Sequence, residues 1–159
     1  MIAYKTERKV EKLAESYIFF KQGLEETIEQ YKAIYEKLLE EECPIVELED
    51  DSFMCNDMNF YEISDLWCVG DNIEGNDYCM ERLLELAGDG EIIYLYFDED
   101  MLAGELVVIR QGQVVRKLYD YYDVPELNVN EGRLEDEDVI KLDGWVSIAS
   151  YSDYLFENL

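Results

Sequence analysis

The sequence predicts an α+β domain in which an antiparallel sheet meander carries helices packed on one face. Two observations carry that reading. Apolar residues recur at helical spacing early and late in the chain, and between them, from Glu91 to Tyr122, the period changes to two. A third observation sets the domain count: no repeat, Gly/Ser linker or compositional break divides residues 1–159, so they are expected to form a single acidic domain. A chain of this length can bury about two-thirds of the surface its unfolded form exposes.

The elements follow in order. Residues 1–22 stay open, because 6–20 fits a helix while Tyr17-Ile18-Phe19-Phe20 ahead of Gln22-Gly23 fits a strand and turn. From Leu24, the positions Ile28, Tyr31, Tyr35 and Leu38 lie on one helical face, with Glu25 and Glu26 in the first turn, where the dipole favours anions. This helix should end before Pro44, and Glu40, Glu41 and Glu42 oppose its dipole there by about 0.3–1 kcal/mol each at low salt. A second helix is expected over 77–87, with Asn76 as N-cap, Met80, Leu83, Leu84 and Ala87 as its buried stripe, and Gly88 just past its end. Strands follow at 91–98, 104–110 and 113–122, the last two joined by a short Gln111-Gly112 turn. A final helix presents Trp145, Ile148, Ala149, Ser152 and Leu155 on one face, with Asp143 as its cap.

Charge restricts the function classes. Thirty-nine acidic residues against 13 basic ones give a formal charge of −26, and without any His this field barely changes between pH 6 and 8. It repels nucleic acid and anionic lipid and steers basic partners inward. The sequence is too rich in apolar and aromatic residues, 48% and 13%, for a disordered acidic tail. Residues 1–12 carry Lys5, Arg8, Lys9 and Lys12 but no apolar core of signal-peptide length, and no stretch approaches the ~20 apolar residues of a membrane span, which predicts a cytoplasmic protein. Cys43, Cys55, Cys68 and Cys79 show no CxxC spacing and are expected to be buried small hydrophobes in a reducing compartment.

Catalysis finds little support. A nucleophile needs a base, and the usual one, His, is missing. Carboxylates are so abundant that any two fall close together by chance, so a pair carries no weight. The acidic stretches at 89–100 and 130–138 lack the ligand spacing of a calcium loop. The expectation is a non-enzymatic protein with no cofactor and no metal site.

Placement of charge says more. No basic residue lies between Lys37 and Arg82, where carboxylates are interleaved with Phe53, Phe60, Tyr61 and Trp67. Further on, Tyr119, Tyr121 and Tyr122 alternate with Asp120 and Asp123 where a strand runs out at Pro125, followed by Glu126, Glu131 and the run Glu135 to Asp138. Aromatic anchors ringed by charge are the composition of an interface centre, and carboxylates suit Arg and Lys of a partner. The candidate partner-binding residues are Asp50, Asp51, Phe53, Asp57, Tyr61, Trp67, Tyr119, Asp120, Tyr121, Tyr122 and Asp123.

The stretch "VVRKLYDYYDVPELNVNEGRLEDEDVIKLDGWVSIASY" resembles the C-terminal half of small acidic immunity proteins from bacterial polymorphic-toxin systems. The resemblance rests on a basic, aromatic strand end, a Pro/Asn/Gly loop and a final helix opened by Trp145, and covers Val114 to Tyr151. It implies a protein that binds one secreted bacterial toxin domain, often a basic nuclease, and neutralises it by blocking its active site; the acidic, aromatic face that would do so is read from the charge and ring placement above. Three other classes stay open: a DNA mimic that occupies a DNA-binding protein, an orphan metabolic or calcium-dependent enzyme, and an acidic domain of unrelated role.

Overall fold

A computed structural model describes residues 14–159 of the chain. The basic segment before Ala14, and with it the first part of the undecided stretch 6–20, lies outside the described residues.

β1 (Ala14–Phe20) forms the middle strand of a nine-stranded sheet with the order β2-β3-β4-β5-β1-β6-β7-β8-β9. The strand-and-turn alternative therefore holds for 14–20, for a physical reason: Tyr17, Ile18, Phe19 and Phe20 are apolar on both faces, as a central strand with cover on both sides requires. On one flank of β1 lies a meander of β2 (Ile45–Glu47), β3 (Phe53–Cys55), β4 (Met58–Glu62) and β5 (Cys68–Asn72). On the other lies β6 (Glu91–Asp98), β7 (Ala103–Arg110), β8 (Gln113–Tyr121) and β9 (Val129–Gly132). All pairings are antiparallel.

The α+β class and the meander stand, but the helices do not share one face. α1 (Leu24–Leu39) and α2 (Met80–Ala87) cover the side of Ile18, Phe20, Ile92, Tyr94, Val107 and Ile109. α3 (Trp145–Asn158) covers the other side through Ile148, Tyr151 and Leu155 against Phe19, Ile93, Leu95, Leu106, Val108 and Leu118. Strands β1, β6 and β7 bear large apolar residues at both parities, so either face left uncovered would expose them to water at about 25 cal/mol per Å². Gly104 on β7 marks how closely α3 sits, since a Cβ there would lie 2.9 Å from Trp145 Cα.

α2 is shorter than its sequence signal. The chain at 77–79 is not yet helical: the Tyr78 N–H donates to Tyr94 Oη (3.1 Å), the Tyr78 ring is buried, and Cys79, with extended backbone, occupies the N-cap in place of Asn76. Its buried stripe is Leu83, Leu86 and Ala87, with Leu84 exposed; Gly88 ends it at φ 52°. Gln111 and Gly112, both at positive φ, make the tight turn between β7 and β8. Of the cysteines, Cys43, Cys55 and Cys68 are buried, but Cys79 is exposed.

Candidate functional site

The sequence-derived residues fall into two groups that the fold keeps apart. Asp50, Asp51, Phe53, Asp57, Tyr61 and Trp67 belong to the β2–β5 flank, and Tyr119 to Asp123 to β8 and its exit. Six strand spacings of about 4.8 Å separate β3 from β8, roughly 29 Å along the sheet, so the two groups form no single face.

The first group is mostly structural. Trp67 is buried in the core beneath α3 and cannot be an exposed anchor. Phe53 packs against the α1/α2 core and Tyr61 against the opposite one. Asp57 accepts a 2.6 Å hydrogen bond from Tyr31 Oη, and Asp50 Oδ1 accepts from Ser52 N and Oγ, which shapes the β2–β3 turn. Asp51 sits exposed at that turn with φ 61°.

The carboxylates after β8 are also partly engaged. Asp120 Oδ2 accepts from Trp145 N (2.8 Å) and so caps α3 from a neighbouring strand; Asp143, the expected cap, does not. Arg116 is 2% exposed and donates to Glu137 through Nε (3.0 Å) and Nη2 (3.1 Å), to Asn130 Oδ1 (2.8 Å), and to the carbonyls of Glu131 and Leu142. Asp136 accepts from Tyr151 Oη (2.6 Å), and Asp138 pairs with Arg133. Three acids of the run Glu135 to Asp138 thus hold the chain's own return to α3, where sequence reasoning had offered them to a partner.

Of the second group, the Tyr122 and Asp123 side chains remain exposed and unengaged among the described residues, at the end of the sheet where β6 turns into β7 and β8 runs out. Tyr122, 72% exposed, lies next to Leu102, whose carbonyl accepts from its N–H (3.3 Å). Met101, Leu102, Val124 and Leu127 are exposed in these two adjoining segments. Glu99, Asp100, Asp123 and Glu126 stand in the same segments, exposed and without a cation among the described residues. Asp98 shapes the turn by accepting from Asp100 N and Met101 N. No Lys or Arg occurs in 83–109 or 118–132, so these neighbouring segments bring no compensating charge.

From this end a tyrosine row runs along the α1/α2 face. Register places Asp98, Ala103 and Tyr121 side by side, then Tyr96, Glu105 and Tyr119, then Tyr94, Val107 and Lys117. Tyr96, Tyr119 and Tyr121 are half-buried, and the Tyr119 and Tyr121 rings meet edge to face at 6.1 Å. Glu105 is 4% exposed, and Oε1 accepts from Tyr94 Oη at 2.9 Å. Burial pushes its carboxyl up to about 7, with the Asp77 carboxylate adding to the rise. Burial and nearby carboxylates raise Tyr96 and Tyr119 to about 12, so both keep their protons. Lys117 Nζ lies 5.0 Å from the centre of the Tyr119 ring. Sequence reasoning missed Glu105. The available signal was an acid within a strand flanked by two other apolar strands, where alternation alone does not deliver a side chain to water.

Burial pushes the Cys55 and Cys68 thiols up to about 11, away from thiolate chemistry. Among the described residues no three His, Cys, Asp or Glu side chains gather as metal ligands, and no helix is long and apolar enough to cross a membrane. No protein-family model matches the chain, and no curated protein or solved structure matches it either.

Proposed function

We propose that the protein is an inhibitor of the immunity type, which binds and neutralises a basic bacterial toxin domain, a nuclease being one candidate, through the acidic, aromatic end of its sheet. The observation that carries this reading is Tyr122, an exposed ring beside Met101, Leu102, Val124 and Leu127, with Glu99, Asp100, Asp123 and Glu126 around it. Exposed apolar anchors ringed by one sign of charge favour a partner of the opposite sign: the rings supply affinity, and the charge supplies approach rate and register. The resemblance of residues 114–151 to immunity proteins points the same way. The DNA-mimic alternative needs a long strip of free carboxylates, and it draws less support because Asp120, Asp136, Glu137 and Asp138 are engaged internally.

The test is binding of the purified protein to the toxin domain encoded beside its gene, over a salt series. The expected outcome is a complex at low salt that Tyr122→Ala weakens by ~1–2 kcal/mol or more and that added salt slows in forming. Absence of any complex at low salt ends the proposal.

A further inference from the structure

We propose that the Tyr96–Glu105–Tyr119 row, with Asp77 at its rim, receives one arginine or lysine side chain of the basic partner, and that Glu105 selects it. This rests on the inhibitor reading above and adds the chemistry of one anchor.

Glu105 lies in the interior of β7, and among the described residues it forms no ion pair; its carboxyl has one hydrogen bond, from Tyr94. A carboxylate is costly to bury without a cation, and an incoming guanidinium or ammonium removes that cost. Tyr96 and Tyr119 flank it from β6 and β8, two strand spacings or about 10 Å apart at the backbone. A cation seated over Glu105 would have a tyrosine ring on either side, and within about 6 Å of a ring centre it gains that ring's attraction.

Tyr119 meets a cation of the chain itself. Lys117 Nζ already rests 5.0 Å from the Tyr119 ring centre, so the chain's own ammonium occupies one side of that ring. The row continues on β1 with Ser16 opposite Tyr96, and the fully buried Ser16 Oγ has no hydrogen-bond partner. The groups facing Glu105 are Tyr94 and Tyr96 from β6, Lys117 and Tyr119 from β8, and Asp77 from the entry to α2, where the Tyr78 N–H meets Tyr94 Oη and Cys79 lies near Tyr119. Lys117 is the one cation among them, against Glu105 and Asp77.

A guest cation favours the ionised carboxyl, and Glu105 is partly protonated near neutral pH. Binding therefore releases a proton to solvent.

The experiment titrates the whole protein at pH 7 with N-acetyl-L-arginine methylamide and, in parallel, with its uncharged citrulline analogue. Calorimetry in buffers of different ionisation enthalpy counts the protons released, and NMR locates the response. The arginine probe is expected to bind with proton release and to shift resonances of Tyr96, Tyr119 and Glu105, while the citrulline probe does not bind. Glu105→Gln, with its thermal midpoint as folding control, should weaken binding about tenfold or more and abolish the release; Tyr119→Leu should weaken it as well. Equal binding by both variants, a response elsewhere on the surface, or no binding to the wild type overturns the inference. If the toxin complex forms and the arginine probe does not bind, this inference fails and the inhibitor reading stands; the reverse result leaves the slot and removes that reading.

Discussion

Glu105 is the residue whose environment departs furthest from its sequence appearance. Its folded carboxyl titrates near 7 against an ordinary 4.5, with burial the first cause. Between those values the folded state holds a proton that the unfolded state has lost, so ν_U − ν_N is negative and stability falls as pH rises. The stabilising contribution is complete below about 4.5 and gone above about 7, an amplitude on the order of 3 kcal/mol at 1.36 kcal/mol per unit. Glu105→Gln keeps an acceptor for Tyr94 and cannot ionise. Urea unfolding of both proteins from pH 4 to 8 should show the variant gaining on the wild type by that order across this window, then a constant difference above pH 7.5. A difference independent of pH would mean that Glu105 is not held protonated. Arg116 teaches a related lesson. It stands beside Lys117 inside β8, yet Arg116 is 2% exposed and Lys117 half-buried. The bulge between Val108 and Ile109 shifts the register there, and the burial of Arg116 is completed by β9 and the following chain, which no local pattern announces.

At the scale of elements, the legible parts were those with long, regular apolar periods. α1 starts at Leu24 as its spacing predicts, and β6 keeps the bounds 91–98 read from its apolar run. The four strands of the β2–β5 flank were not legible. Each has 3 to 5 residues, and Glu47, Asn59, Glu62, Asp71 and Asn72 break their alternation; the sheet comes from tertiary pairing rather than propensity. Half of the candidate site suffered the same fate. Tyr121, Tyr122 and Asp123 could be placed from the strand's end at Pro125, but whether an aspartate is free or engaged depends on what packs beside it. Asp120 is the clearest case, because its partner Trp145 lies 25 residues away in sequence. Asp120→Ala removes the acceptor from the first N–H of α3, a loss of about 1 kcal/mol typical of N-caps. Chemical unfolding should register that loss, and the near-ultraviolet circular dichroism of Trp145 should change with it. Asp120→Asn, which retains an acceptor oxygen, should recover most of the stability. If neither variant differs from wild type, the cap contributes nothing.

For the whole molecule, the governing quantity is a formal charge of −26 on 159 residues. Opposing effects of salt must be weighed. Added salt weakens favourable ion pairs, but among those described Lys32–Glu36, Arg82–Glu85, Arg110–Glu91, Arg133–Asp138 and Lys141–Asp143 are at least partly solvated, and such pairs give about 0–1 kcal/mol each. Arg116–Glu137 is shielded from solvent and is screened little. Salt also weakens repulsion among the many carboxylates that have no cation, and this is the larger effect because acids outnumber bases three to one. The screening length falls from about 30 Å at 10 mM to about 8 Å at 150 mM, from the width of the sheet between its two acidic flanks to less than two strand spacings. The thermal midpoint should therefore rise over that range, by about 2–4 °C for each 1 kcal/mol of repulsion relieved. Tetramethylammonium chloride, whose cation coordinates carboxylates poorly, should act as well as sodium chloride if screening is the cause. A flat or falling midpoint would mean that the carboxylates are already neutralised, and a rise with sodium alone would mean that cations bind them at defined positions.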